Sequence, residues 1–266
     1  MKSKRRSVAS WVKSGSGRRI VFLVLLVSIW DAVFRFGLYD GFLMPSPEEV
    51  VSAFIRGLRD GSFVTGVAVS MRRILIGYGI SLVLGVGLGL AIGRFKLLED
   101  TVGSLVFGLQ AIPSICWLPF AILWFGLSES AILFVVVMGA LLSIVIATDD
   151  GVKNTPPLLI RAGRTMGMSG VALYSRVVLP SALPAIVSGM KLGWSFAWRS
   201  LMAGELLFVS AGLGHLLTVG RDLNDMSLVI AVMILIVLVG LVVDRLVFGT
   251  VEQAIRRRWG LSGSQA

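Results

Sequence analysis

Residues 131–148 read AILFVVVMGALLSIVIAT, a run without one charged side chain. A helix needs about 20 mostly apolar residues to cross a bilayer, so this run is long enough to span one. Five similar runs lie at 20–38, 74–93, 101–126, 182–208 and 226–243. They are continuously apolar and lack the alternation of a membrane β-strand. The sequence therefore predicts an all-α, polytopic membrane protein with six transmembrane helices.

The composition of the whole chain supports this prediction. Hydrophobic residues make up 56% of the 266, charged residues make up 15%, and the mean hydropathy is +0.88. Such values exclude an ordinary soluble domain. Pro113 and Pro119 interrupt the run at 101–126. Because a broken helix persists in lipid only where neighbouring helices or a cavity satisfy its freed backbone groups, this span is expected to be kinked and well packed.

The distribution of lysine and arginine predicts the orientation of the chain. With the N-terminus inside, the inner segments hold 17 of the 25 Lys and Arg residues and the outer segments hold six. This bias places both termini in the cytoplasm. We expect a basic cytoplasmic segment at 1–19, a membrane domain at 20–248 and a basic cytoplasmic tail at 249–266. The net charge of +10 has the same origin, so no nucleic-acid partner is expected.

Few side chains are available for catalysis. One cysteine, Cys116, and one histidine, His215, cannot form the usual His/Cys metal cluster. The adjacent acidic pairs at 48–49, 99–100 and 149–150 lie at the ends of predicted elements, where capping or solvation explains them. We therefore predict no catalytic residue, no metal and no cofactor, and a protein that is not an enzyme.

Two local patterns predict helices and their packing. Ser46 can cap a surface helix that begins at Pro47 and carries two glutamates in its first turn. Four apolar residues share one face of that helix: Val50, Val51, Phe54 and Leu58. In the second run, Gly85, Gly89 and Gly93 are spaced to let a neighbouring helix approach closely. The chain contains no Gly-Lys pair, so these glycines do not form a phosphate-binding loop.

A polar stretch at 149–176 reads DDGVKNTPPLLIRAGRTMGMSGVALYSR, between two apolar runs. Leu179 and Pro180 follow it at the start of the next run. A basic, partly helical loop of this size predicts a surface that another protein binds. The segment 161–167, with Leu179-Pro180, resembles the EAA loop of ABC-importer permeases.

Further stretches resemble one branch of that family, the nitrate, sulfonate, taurine and bicarbonate permeases. They occur in order as MPSPEEV at 44–50, SMRR at 70–73, AIPS at 111–114, WLP at 117–119, ILWFG at 122–126 and WSFAWR at 194–199. The resemblance covers about residues 43 to 258. It implies a type I importer permease in the bacterial cytoplasmic (inner) membrane, with no chemistry of its own.

The resemblance implies that the loop at 149–180 forms a coupling helix that docks on an ATPase subunit. The residues that match this loop are Arg161, Ala162, Gly163, Thr165, Met166, Gly167, Met168, Leu179 and Pro180. Two positions depart from the family pattern, since Arg161 replaces its glutamate and Gly163 replaces its second alanine. The departure at Arg161 puts the strength of docking in doubt. Gly167 is expected to permit the turn out of the helix.

The resemblance also implies the partners. These are two ATPase subunits that bind ATP, a substrate-binding protein that is periplasmic or lipid-anchored, and the surrounding membrane lipid. We expect a second copy of the chain to complete the pathway as a homodimer, because six helices make only a small wall for a gated conduit.

The fifth run has unusual polarity for a membrane helix. Its candidate pathway residues are Lys191, Trp194, Ser195, Trp198, Arg199 and Glu205, and the kinked third run adds Gln110 and Ser114. Charges at membrane depth usually face a cavity or a partner charge, and two cations favour a small anion. Two alternatives remain open. Arg199 could pair with Glu205 or a carbonyl to hold helices together, and Lys191 could extend to the inner membrane surface.

An ion-coupled secondary transporter is the alternative function, because the chain is hydrophobic and carries intramembrane charges. No internal repeat is visible, and a large docking loop is better explained by an external ATPase.

Overall fold

The computed structural model describes residues 15–37, 43–207 and 210–258, and within these ranges the chain is helical and has no strand. The helices are α1 Gly15–Arg35, α2 Pro47–Arg59, α3 Ser62–Arg94, α4 Lys96–Gln110, α5 Ser114–Phe125, α6 Glu129–Lys153, α7 Pro157–Thr165, α8 Gly170–Leu207, α9 Leu213–Asp222 and α10 Met226–Val243. A π turn, Asp244–Phe248, continues α10 into a last helical segment, Gly249–Arg258. Leu38 and Phe208, at the ends of two predicted runs, lie outside the described residues.

Four helices of the described chain are long and apolar enough to cross a membrane: α3, α6, α8 and α10. The consecutive helices α4 and α5 form a fifth candidate span, bent by 106°. The bend follows Pro113, as the two prolines of this run predicted. The first predicted run forms α1, which is not among these spans and whose 21 residues include Arg18, Arg19, Asp31 and Arg35. The fold is therefore the predicted all-α membrane architecture, with four or five spans established by length and composition.

The described residues divide into two compact units, one within 15–63 and 216–234 and the other within 64–215 and 235–258. In the first unit, α2 begins with the predicted cap. The Ser46 hydroxyl accepts a hydrogen bond from the Glu49 amide at 3.2 Å, and the Glu49 carboxylate accepts one from the Ser46 amide at 2.8 Å. This capping box fixes the start of the helix at Pro47.

The chain itself covers only part of the predicted apolar face of α2. Val50, Ala53 and Gly57 are buried, whereas Val51 is 58% exposed and Leu58 is 48% exposed. Gly57 is buried because the Phe63 ring packs against it and occupies the space that a side chain would fill there. The predicted helix is confirmed, and the contact of its apolar face with the outer membrane surface stays a prediction.

The second unit is built on α6, which packs against both α3 and α8. A Cβ added at Gly85 or Gly93 would lie 2.8 Å from Ile144 or Val152 of α6, and one at Gly89 would lie 2.6 Å from Thr148. The predicted close approach at these glycines is confirmed. The same helix meets α8 at Gly193, where a Cβ would lie 2.9 Å from Ile144. The glycines of α3 and α8 have no side chain at these contacts, and this allows both helices to pack closely against α6.

Candidate functional site

The connection between α6 and α8 contains the predicted coupling helix. The two long helices include both ends of the polar stretch, so α7 and its flanking turns occupy only residues 154–169. Pro157 begins α7, where its missing N–H is tolerated. At the other end Gly167 has φ +79°, its amide donates to the Arg164 carbonyl and the Met168 amide donates to that of Gly163, both at 3.0 Å. This is a Schellman motif, and the predicted turn at Gly167 is confirmed.

One glycine seats α7 against its own chain. A Cβ at Gly163 would lie 2.7 Å from Leu173 and 3.1 Å from Val177, at the start of α8. The replacement of the family's second alanine therefore serves packing within the chain. Arg161, Ala162 and Met166 remain exposed.

An apolar groove runs along this junction, with a volume of about 520 Å³. Its lining residues are Leu159, Ala162, Gly163, Met166, Met168, Arg176, Val177, Pro180, Ser181 and Pro184. Five of the predicted coupling residues are among them. Arg161, Thr165 and Gly167 lie on the exposed surface beside it, and Leu179 packs against the cluster around Val152 and Ile186. The predicted coupling residues thus occupy one continuous region at the connection between α6 and α8, which we define as residues 157–181 and call the coupling surface.

A second cavity lies at the bend between α4 and α5, with a volume of about 250 Å³. It brings together Gln110, Ser114 and Arg199, three of the predicted pathway residues, with Trp117, Ser143 and Phe196 also in its wall. The Arg199 Nε donates to the Ser195 carbonyl at 3.0 Å, and the guanidinium carbon lies 4.8 Å from the centre of the Phe196 ring. Among the described residues, no carboxylate is paired with Arg199. We call this the bend cavity.

Lys191 lies at a different site from Arg199. Its Nζ is 3.3 Å from the Asp244 carboxylate of the last π turn, beside a separate pocket of about 570 Å³ between α8 and the 249–258 segment. Eight residues separate the two cations along α8, which is about 12 Å of helix. The charge of Lys191 is compensated by Asp244, so Arg199 is the cation that faces the bend cavity.

The two tryptophans among the predicted pathway residues contribute to packing. Trp194 is 6% exposed and meets Tyr78 edge to face, with ring centres 5.2 Å apart. Trp198 lies against Gly240 of α10, and the Ser195 hydroxyl donates to the Lys191 carbonyl within α8 at 3.2 Å. These three residues stabilise the contacts and the backbone of α8.

Glu205 is completely buried, and its partner is Arg73 rather than Arg199. The Arg73 Nη1 lies 2.9 Å from the Glu205 carboxylate, which also accepts hydrogen bonds from the Ser70 hydroxyl at 2.7 and 2.8 Å and from the Gly214 amide at 3.0 Å. The Ser70 hydroxyl in turn accepts from the Leu213 amide at 2.9 Å. This cluster joins α3, the end of α8 and the turn that begins α9.

Sequence reasoning missed Ser70 and Arg73 as partners of Glu205. Both lie in the SMRR stretch, but 132 residues separate Arg73 from Glu205. The available signal was partial, because Glu205 interrupts an apolar run and charges at membrane depth usually pair, whereas Arg73 directly precedes the predicted run at 74–93.

The comparisons with known proteins agree with this architecture. Residues 81–257 match the family described as binding-protein-dependent transport system inner membrane component. A putative ABC transporter permease of Methanocaldococcus jannaschii is 33% identical over 85% of this chain and 86% of the relative. The putative aliphatic sulfonates transport permease SsuC of Escherichia coli is 32% identical over 88% and 87%, and the nitrate import permease NrtB of Synechocystis is 26% identical over 86% of both.

A solved structure shows the same fold. A chain of the MetNI methionine ABC transporter, in inward-facing conformations, aligns with a TM-score of 0.64 at 21% identity and covers 73% of this chain and 96% of that one. The chain therefore belongs to the binding-protein-dependent transport family of inner membrane components. It is a permease subunit of an ABC importer, a transport component rather than an enzyme.

Proposed function

We propose that two copies of this chain form the pathway for a small anion of the nitrate, sulfonate, taurine or bicarbonate class. Two ATPase subunits bind ATP on the inner side, and a periplasmic or lipid-anchored binding protein delivers the anion on the outer side. Both termini lie in the cytoplasm, because the positive-inside rule puts the basic 1–19 segment and the 249–266 tail there. The observation that carries the proposal is the coupling surface.

The coupling surface has the properties of a docking site. Leu158 in α7 is 76% exposed, and Met166, which caps the end of this helix, is 75% exposed. Large apolar side chains exposed beside an apolar groove mark protein interaction sites. The basic Arg161 and Arg164 on the same helix favour the cytoplasmic side, where an ATPase subunit would bind.

The bend cavity supports an anionic substrate. Arg199 supplies a cation there, and the Gln110 amide and the Ser114 hydroxyl are neutral hydrogen-bond donors. An arginine at membrane depth is costly, by about 2.5–3.5 kcal/mol on insertion scales, which favours a functional partner. Planar and tetrahedral oxyanions match the fork of a guanidinium. Relatives are named for the transport of aliphatic sulfonates, of taurine, which carries a sulfonate group, and of nitrate.

A second copy would complete this site. Gln110 and Arg199 are both exposed in the single chain although they line a cavity at membrane depth. Polar residues in a span usually face the interior of a bundle or a water-filled cavity. The roles of Lys191, Trp194, Ser195, Trp198 and Glu205 are those of the contacts described above, so we assign the pathway to Gln110, Ser114 and Arg199.

The test is transport by proteoliposomes that contain the chain with and without its ATPase subunits and binding protein. Labelled taurine, methanesulfonate, nitrate and bicarbonate are offered separately. The proposal predicts uptake of at least one anion that requires ATP and the ATPase subunits. Uptake driven by an ion gradient without ATP would instead establish the secondary transporter.

A further inference from the structure

Tyr174 makes a polar contact between two long helices at their inner ends. It is the first residue of a π turn, Tyr174–Val178, that interrupts the beginning of α8. Its hydroxyl donates to the Leu90 carbonyl of α3 at 2.7 Å. The Arg94 guanidinium lies over the ring, 5.3 Å from its centre. The side chain is thus held to α3 both at its hydroxyl and on its face.

The same turn supports the coupling helix. Gly163 of α7 lies against Leu173 and Val177, which flank Tyr174 in the chain. A force that moves α7 is therefore applied to the residues on either side of Tyr174. Their contacts with α7 are apolar and non-directional, whereas the contact of Tyr174 with α3 is a directional hydrogen bond.

Helix α3 is suited to carry such a movement across the membrane. Glycines hold it closely against α6 along its inner half. At Ser70 and Arg73 it joins the buried cluster around Glu205. From Ser70 to Arg94 the helix extends about 36 Å at 1.5 Å per residue. One continuous helix thus links Leu90 to the cluster around Glu205 near the other end of the span.

We propose that Tyr174 is a positioning residue that couples movement of α7 to α3. The inference rests on the proposed docking of an ATPase subunit on the coupling surface. A π turn marks a place where a helix can change its register, and such turns often occur at functional sites. The Tyr174 hydroxyl holds this turn to α3, so that α8 and α3 move as one body when α7 is displaced.

The chain supplies a matched control. The Tyr78 hydroxyl donates to the Met190 carbonyl at 2.8 Å and also joins α3 to α8, but in the middle of the core. Tyr78→Phe and Tyr174→Phe each remove one hydroxyl bonded to a helix carbonyl. Only the second removes it from the turn that contacts the coupling helix.

The experiment measures the distance between spin labels at Val83 of α3 and Val171 of α8, both exposed, after Cys116→Ser. The permease is purified with its ATPase subunits in lipid nanodiscs, and the probe is ATP with vanadate. Wild type and Tyr78→Phe are expected to keep one narrow distance distribution with and without ATP. In Tyr174→Phe, ATP should add a second population at another distance. The ratio of this population to the first should be roughly three- to tenfold higher than in the wild type, the range expected for the loss of one net hydrogen bond.

The outcomes separate this inference from the docking proposal. Retention of the ATPase subunits together with one unchanged distribution in Tyr174→Phe would overturn the coupling role alone. Failure of the wild type to retain those subunits would overturn the docking proposal and this inference with it. If Tyr174→Phe cannot be purified, Arg94→Gln removes the cation above the ring and should shift the distribution in the same direction, and no shift would again overturn the role.

Discussion

Gly89→Ala tests whether the contact between α3 and α6 sets the packing of the core. The added Cβ would lie 2.6 Å from the Cβ of Thr148 and 2.6 Å from the Val145 carbonyl oxygen. Both atoms are fixed to the α6 backbone, so the two helices must separate to accept the methyl group. Gly87→Ala is the control, because a Cβ two residues away on the same helix meets nothing within 4 Å.

The expected magnitude follows from two opposing terms. Both substitutions gain about 0.8–1 kcal/mol of helix propensity, because alanine restricts the unfolded backbone more than glycine does. Gly89→Ala alone adds overpacking, which typically costs about 1–3 kcal/mol. The propensity term cancels in the comparison, so Gly89→Ala should be less stable than Gly87→Ala by about 1–3 kcal/mol.

The assay is denaturant unfolding of both variants in the same lipid nanodiscs, followed by tryptophan fluorescence. Trp194 lies in the buried core and supplies a signal that depends on packing. Equal free energies of unfolding for the two variants would refute the close contact. A more stable Gly89→Ala would refute it more strongly.

Three further predictions concern charge, substrate and coupling. Arg73→Met leaves the Glu205 carboxylate buried without its cation and should lower the free energy of unfolding by about 3–5 kcal/mol. Arg72→Met, at a side chain that is 60% exposed, should lower it by only about 0–1 kcal/mol. Denaturant unfolding of both variants measures these losses, and equal losses would contradict the prediction. Arg199→Gln should slow uptake of the transported anion in proteoliposomes, and unchanged kinetics would assign Arg199 to scaffolding. Gly167→Trp forces a bulky residue into a left-handed conformation on the coupling surface and should therefore abolish ATP-driven uptake. Membrane insertion, measured by fractionation, should stay intact. Normal uptake in this variant would show that the coupling surface is not the docking site.

The sequence predicted the long helices well, because their signal is local. The run at 226–243 coincides with α10, and that at 131–148 lies inside α6. The cap at Ser46 and the turn at Gly167 were also predictable, since each depends on a residue's own hydrogen bonds or backbone conformation.

The limits of α3 and α8 were harder to predict, because tertiary partners determine them. Helix α3 begins at Ser62, twelve residues before the predicted run, and its early part carries Arg73. That buried charge is compensated by the distant Glu205, with further contacts to Glu129, Ser210 and the Ala211 carbonyl. In the same way, helical spacing grouped Lys191 with the tryptophans, but the carboxylate that pairs with it, Asp244, comes from another helix. Partners far apart in sequence leave no local pattern.

The most direct test of the account is site-directed crosslinking from Met166 in native membranes. This side chain is 75% exposed at the end of α7 and lines the groove of the coupling surface. With a photoreactive residue at this position, the account predicts a crosslink to an ATPase subunit whose yield changes when ATP is added. Crosslinks only to lipid or to the chain itself, in membranes where the complete importer is active, would contradict it.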